Sequence, residues 1–327
     1  MNIAFDPGYG NIKLCGPCGT LIMQSAVAVA GGRQVQRMTG LRFARPPLRV
    51  ETSAGAFYVG EGAHDWGRPV ENLDFDRLSG SPEMLALFLG AVSRYGVPAE
   101  PVSLMVGLPV AAHMGENAAR TLEAVKSFLR GAHEWDADGV SHTLSVEAVR
   151  ITSQPVGAMF DFLLTDAGEM PVDRRIVFKG EIGILGVGMN TLDLLVVRNG
   201  SPVQRFTAGE TFGVRRLLEL VNHGGYSLAE LDARLRTGSL DTASLLPVWQ
   251  SEVLGFVERS WGTSFRRFGR VIIVGGGAKL LHEPLLMRFR DKAFVPDDPI
   301  VATARGLYKY TLMQARRLRS PEKAAHE

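Results

Sequence analysis

Short apolar runs separated by glycine- and proline-rich turns open the chain, and their spacing predicts three strands over residues 2–5, 11–14 and 20–26. Two further strands are expected at 48–52 and 56–59, before a helical spacing over 82–93 with Pro82 in the first turn. A buried-type run at 102–106 ends in Gly107-Leu108-Pro109 and precedes an amphipathic helix over 116–130. The strand predicted at 146–151 leads directly into Gln154-Pro155-Val156-Gly157-Ala158 and an apolar helix reaching 164. Residues 166–175 are polar and turn-rich, and read as a crossing between two lobes.

The second half repeats the opening order. A strand at 181–186, a glycine-containing turn at 186–190 and a returning strand at 191–197 precede a third strand at 202–207. Helices are expected over 211–222, 227–237 and 242–261. A short strand at 271–274 runs into Gly275-Gly276-Gly277-Ala278, a closing helix spans 302–318, and 320–327 reads as a polar tail. The strand–glycine turn–strand unit therefore occurs twice. Two like domains could present two hairpin turns to one cleft, an α/β architecture with mixed sheets flanked by helices. The crossing puts the expected lobe boundary near residue 165. A length of 327 residues accommodates two lobes, because single cores stop growing near about 250–300 residues.

Composition narrows the function classes. Apolar residues make up 46% and charged residues 21%, the balance of an ordinary globular protein. With 36 basic against 34 acidic side chains the net charge is +2, too small to argue for nucleic acid or an anionic membrane. The opening residues are β-like rather than a basic patch followed by an apolar leader, and no apolar run approaches the roughly 20 residues of a membrane span. A cytoplasmic location is the resulting expectation.

Cys15-Gly16-Pro17-Cys18 matches a thioredoxin-type dithiol letter for letter, but the surrounding pattern is two strands joined by a turn. No helix is expected to begin at Cys15. Two reduced or incidental thiols are the favoured reading, with a reversible disulfide as the alternative and a zinc site ranked last for want of a second cysteine pair.

Asp6-Pro7-Gly8-Tyr9-Gly10-Asn11-Ile12-Lys13 carries the most chemistry. Glycines at 8 and 10 allow a tight reversal that leaves backbone N–H groups open to an anion. Asn11 adds an amide, and Lys13 a charge suited to phosphate oxygens. Asp6 is placed to hold Mg²⁺ through water. A plain glycine-rich turn is the competing reading of this motif taken singly. The same holds for Gly186-Val187-Gly188-Met189-Asn190-Thr191, and for the triple glycine, which would let backbone lie flat against a ring or ribose.

All three motifs in this order resemble the actin-like ATPase superfamily, and within it ParM-type plasmid-segregation actins and archaeal actin relatives. The resemblance covers nearly the whole chain and implies an actin-like, ribonuclease-H-like two-domain fold, with residues 1–165 plus 301–327 as one domain, 166–300 as the other, and a nucleotide cleft between them. It also implies ATP or ADP with Mg²⁺ as ligands. Asp6 would organise the metal, and Gly8, Tyr9, Gly10, Asn11 and Lys13 would hold the phosphates together with Gly186, Gly188, Asn190 and Thr191. Gln154 would orient the attacking water, and Gly275, Gly276 and Gly277 would line the adenosine. Gly209 and Glu210, expected at a helix start, would approach the ribose and base. Gly107-Leu108-Pro109 matches a strand end of the ParM type. Gln154 to Ala158 and Val301-Ala302-Thr303-Ala304-Arg305-Gly306-Leu307-Tyr308 resemble the two interdomain helices.

One departure stands out. Aligning on Thr191-Leu192-Asp193 puts Gly186 where the second phosphate loop normally carries Asp, removing a carboxylate from the metal shell. Slow hydrolysis, metal held by Asp6 and waters alone, or binding without turnover would each follow. Asp193 is expected to buttress the loop. The resemblance implies self-association into nucleotide-dependent filaments moving plasmid or other DNA through a DNA-binding adaptor, with no direct nucleic-acid contact and no membrane. A non-polymerising scaffold and a small-molecule kinase are the alternatives. The seven histidines show no helical metal spacing. Trp66, Trp135, Trp249 and Trp261 read as core or interface. Arg305, Lys309, Arg316, Arg317 and Arg319 read as a solvated cationic helix face, with DNA or an acidic adaptor as the other possibility.

Overall fold

Two hairpins, each backed by a parallel strand, organise a computed structural model that describes residues 1–31, 35, 38–42 and 44–324, with side chains to 318. Residues 32–34, 36–37, 43 and 325–327 lie outside the described residues. The first sheet uses β1 (Asn2–Pro7), β2 (Asn11–Gly16), β3 (Gly19–Gln24), β4 (Val27–Val29), β5 (Leu48–Thr52), β6 (Gly55–Val59) and β7 (Arg68–Pro69). Helix α1 (Pro82–Tyr95) precedes β8 (Val102–Leu108); helix α2 (Ala118–Leu129) then leads to β9 (Gly131–Ala137) and β10 (Val140–Ser153). The strand order is β3-β2-β1-β8-β10-β9-β5-β6-β4-β7. β1 pairs antiparallel with β2 but parallel with β8, so the sheet is mixed as expected.

Helices α3 (Gln154–Leu163) and α4 (Val172–Lys179) lead to the second sheet. Its strands are β11 (Glu181–Val187), β12 (Leu192–Arg198), β13 (Ser201–Pro202), β14 (Ala208–Glu210), β15 (Arg270–Val274) and β16 (Ala293–Phe294). Its order is β13-β12-β11-β15-β16, with β14 also on β12. Here again an antiparallel hairpin, β11–β12, is followed by a parallel neighbour, β15. Helices α5 (Val214–Val221), α6 (Leu228–Arg236), α7 (Leu246–Trp261), α8 (Gly277–Leu280) and α9 (His282–Phe289) flank this sheet, and α10 (Ala302–Ala324) closes the chain.

The two sheets exchange helices. Ala158, Met159, Phe160, Phe162 and Leu163 of α3 pack on Ile182, Ile184, Leu195, Ile272 and Val274 of the second sheet. Ala304 and Leu307 of α10 pack on Ala4, Cys15 and Met105 of the first. The helices meet where a Cβ on Gly306 would stand 1.9 Å from the carbonyl oxygen of Gly157. Only glycine lets the two backbones approach this closely. Asp161 of α3, buried beside the crossing, accepts Arg305 at 2.7 and 2.6 Å and pairs with Lys309 at 3.0 Å.

Those contacts correct the expectation of a solvated basic face. Arg305 and Lys309 turn inward, and Arg316 pairs with Glu169. Arg317 is exposed, and the side chain of Arg319 lies outside the described residues. The expected tail from 320 is helical to Ala324. Several elements went unforeseen, among them the β9 strand that pairs with an extended β10, α4, which begins within the expected crossing, and α9. Trp135, Trp249 and Trp261 are buried core residues. The turn between Cys15 and Cys18 is a hairpin in which Gly16 pairs with Gly19. The Cys15 thiol is buried, accepts the Thr20 hydroxyl at 3.4 Å, and has its pKa raised chiefly by burial, opposite to a thioredoxin nucleophile. Among the described residues no helix is long and apolar enough to cross a membrane.

Candidate functional site

Both glycine turns point at one cavity of about 270 Å³ between the sheets. In the first hairpin Asp6 pairs with Lys13 across the ladder, which sets both side chains on one face at the strand ends. Lys13 Nζ lies 2.8 Å from Asp6 Oδ2, and Gln154 Nε2 donates to Asp6 Oδ1 at 2.7 Å. Gln154 reaches Asp6 because β10 ends at Ser153 and α3 starts on the next residue. The crook of the turn has no room for a side chain: a Cβ on Gly8 would lie 2.7 Å from Asn11 O and 3.0 Å from Lys13 Nζ. Ser25 fixes it from behind by donating to Gly8 O at 2.6 Å.

In the second hairpin Gly186 pairs with Asp193, and Gly188 N–H donates to Thr191 O at 2.9 Å. Thr191 Oγ1 donates to Asp193 Oδ2 at 2.9 Å, while Val110 N–H of the first lobe donates to Oδ1 at 2.7 Å. Burial pushes the Asp193 carboxyl up to about 6, with the negative charge of Asp6 adding to it and both hydrogen bonds opposing. Gly275 forms the third wall with φ of 95°, and a Cβ there would fall 2.3 Å from Val187 O. Asp6, Gly8, Tyr9, Gly10, Asn11, Lys13, Gln154, Gly186, Gly188, Asn190, Thr191, Gly275 and Gly276 all line the cavity.

Residues 4–157 match the family model for the N-terminal domain of actin-like proteins. The apo ParM of pSK41 is 17% identical with a TM-score of 0.69, covering 97% of this chain and 98% of that one. An archaeal actin homologue, Ta0583, solved in complex with ADP, is 18% identical with a TM-score of 0.70 over 95% and 99% of the two chains. A ParM from Clostridium botulinum, solved as a 15-stranded filament, is 18% identical with a TM-score of 0.70 over 94% and 98%. The fold is that of the actin-like proteins. No curated protein sequence matches the chain closely.

Three expected positions fall elsewhere in this actin-like fold. Gly209 and Glu210 are on β14, paired with Asp193 and Leu192, not at a helix start, and neither lines the cavity. Gly209 instead allows close approach of the lobes, since its Cβ would stand 3.1 Å from Ala111 N. Gly277 lies buried beneath the loop, where a Cβ would meet Val187 Cγ1 at 2.3 Å. A fourth wall escaped sequence reasoning. Asp232, Leu235 and Arg236 of α6 line the cavity, joined by Lys279, Leu280 and Thr303. Arg236 Nη2 donates to Gly10 O at 3.1 Å, and Asp232 Oδ2 accepts both Arg236 Nε and Gln24 Nε2 at 2.8 Å. The Ser227–Glu230 capping box and the Asp232/Arg236 spacing of four were the available signal.

The donor set fits a nucleotide whose metal is held mainly by phosphate and water. Both oxygens of Asp6 already accept side-chain donors, and no cluster of three or more acidic, His or Cys side chains suits a metal among the described residues. Mg²⁺ tolerates such a site because it keeps several of its waters.

Proposed function

We propose that the chain binds ATP or ADP with Mg²⁺ in this cleft and assembles with its own copies into filaments, working in the cytoplasm through a DNA-binding adaptor to move plasmid or other DNA. The carrying observation is the convergence of both hairpins on one cavity, with Lys13, Asp6 and Gln154 joined in a single cluster at its floor. Lys13 and the open N–H groups of the first turn would hold phosphate oxygens, and Asp6 would orient water on the metal. When bound, Mg²⁺ supplies charge neutralisation of the phosphates. With its amide nitrogen fixed by Asp6, Gln154 keeps its carbonyl end to accept a hydrogen from an attacking water. Gly186 offers no second carboxylate, so hydrolysis is slow relative to binding.

Sedimentation with ATP, ADP or no nucleotide, with phosphate release followed in parallel, tests this reading. ATP-dependent pelleting with slow release is expected, and no polymer under any nucleotide condition overturns the filament. The second reading, a nucleotide-bound scaffold that does not polymerise, is favoured by Gly186. Tight ATP binding with neither polymer nor phosphate release would select it.

A further inference from the structure

Room and rigidity conflict in the first turn. Glycines at 8 and 10 leave space for an anion, but glycine also leaves the adjoining peptide planes free to rotate. The Tyr9 side chain between them is anchored. Its hydroxyl donates to Asp74 O at 3.2 Å, its ring meets Phe75 edge-on, and the Arg77 guanidinium lies 5.0 Å from the ring centroid. Those contacts hold the ring, not the peptide planes on either side of it. Among the described residues the N–H groups of Tyr9 and Gly10 make no hydrogen bond.

Both planes are held by Ser25, the half-buried residue that follows β3. Asn11 faces Gln24 at the end of the β2–β3 ladder, so Ser25 lies beside the turn. Its Oγ donates to Gly8 O at 2.6 Å, and its N–H donates to Gly10 O at 3.1 Å. Gly10 O has another donor in Arg236 Nη2, whereas Gly8 O has none besides Ser25 among the described residues.

In a trans peptide the C=O and the N–H that follows it point in opposite directions. Drawing Gly8 O toward Ser25 therefore turns the Tyr9 N–H away from Ser25. Ser25 is not on the wall of the larger cavity, while Gly8, Tyr9 and Gly10 are. A flip of the Gly8–Tyr9 peptide would exchange that N–H for a carbonyl oxygen, which repels an anion instead of binding it.

Resting on the nucleotide assignment of this cleft, we propose that Ser25 is a positioning residue for the phosphates. Its hydroxyl latches the Gly8–Tyr9 peptide so that the Tyr9 N–H donates to a phosphate oxygen, and Ser25 itself touches no ligand.

Calorimetric titration of the full chain with ADP and Mg²⁺, paired with amide NMR of protein carrying isotope-labelled tyrosine, tests this. Ser25→Ala should bind ADP about threefold to tenfold more weakly, the worth of one hydrogen bond. Ser25→Thr, which keeps a hydroxyl, should bind within about twofold of the native chain. The Tyr9 amide is assigned by its absence from Tyr9→Phe. At saturating ADP its proton should move downfield in the native chain and clearly less in Ser25→Ala, with the other tyrosine amides at their native positions. Equal ADP affinity in Ser25→Ala overturns the proposal, as does weaker binding with an unchanged Tyr9 response, the mark of a merely structural role. A Tyr9 amide unmoved by ADP in the native chain overturns it without any variant. A native chain that binds no ADP overturns the nucleotide cleft as well, whereas native binding matched by Ser25→Ala removes only the role of Ser25.

Discussion

At Asp193 one carboxyl group ties the lobes, taking an N–H from Val110 across the gap and a hydroxyl from Thr191 within its own hairpin. Its pKa of about 6 lies above the ordinary 3.8, so the native state holds this proton more tightly. The stabilising contribution is complete below about pH 4 and is lost as pH rises toward 6. Asp193→Asn keeps an acceptor for Val110 and can donate to Thr191. It should therefore be as stable as the native chain at low pH and more stable at pH 7–8, by up to roughly 3 kcal/mol. Thermal melts of both proteins across that range check this, and parallel pH profiles would rule it out. Single residues were legible where chemistry and local spacing coincide: Asp6, Lys13 and Gln154 do meet at the cavity. Glu210 was misplaced because a three-residue strand, Ala208–Glu210, carries too few positions to show an alternation.

Among the elements, the α3–α10 crossing depends on two glycines in van der Waals contact. Gly306→Ala would force its methyl into Gly157 O and, at 2.5 Å, Asp161 N. Overpacking of this kind costs about 1–3 kcal/mol, and the helices would also have to part around the Asp161 ion pairs. Denaturant unfolding should show the loss, and a midpoint unchanged from the native chain would contradict it. The helices themselves were readable from their apolar patterns, whereas their pairing came only through the family resemblance. The β9–β10 hairpin was not readable, because His133, Glu134 and Asp136 dilute the strand pattern with residues suited to an exposed face. Asp138-Gly139, with φ of 51° and 82°, was the turn signal that could have revealed it. Helix α4 was hidden for the opposite reason: it has no buried residue, and its apolar Val172 and Ile176 face outward.

Across the whole molecule, polar bridges besides that between Asp193 and Val110 join the lobes. Gln24 reaches Asp232, Arg236 reaches Gly10 O, and Asn190 Nδ2 donates to Leu73 O at 3.2 Å. If nucleotide lies beneath them, Arg236→Ala should speed its release by roughly threefold to tenfold, the equivalent of one hydrogen bond. Stopped-flow displacement of a fluorescent nucleotide measures this, and an unchanged off-rate would remove α6 from the cleft's closure. Such bridges join residues separated by up to 226 positions, so no local periodicity could have announced them.

The exchange of helices between the sheets has a consequence for how the chain can be divided. A cut in the loop between α3 and α4 would leave each fragment with a bare sheet face and the helix that belongs on the other fragment. Neither half would bury enough apolar surface alone, yet mixed together they would supply what each lacks. The molecule is thus a natural candidate for fragment complementation, with folding of either part conditional on the presence of the other.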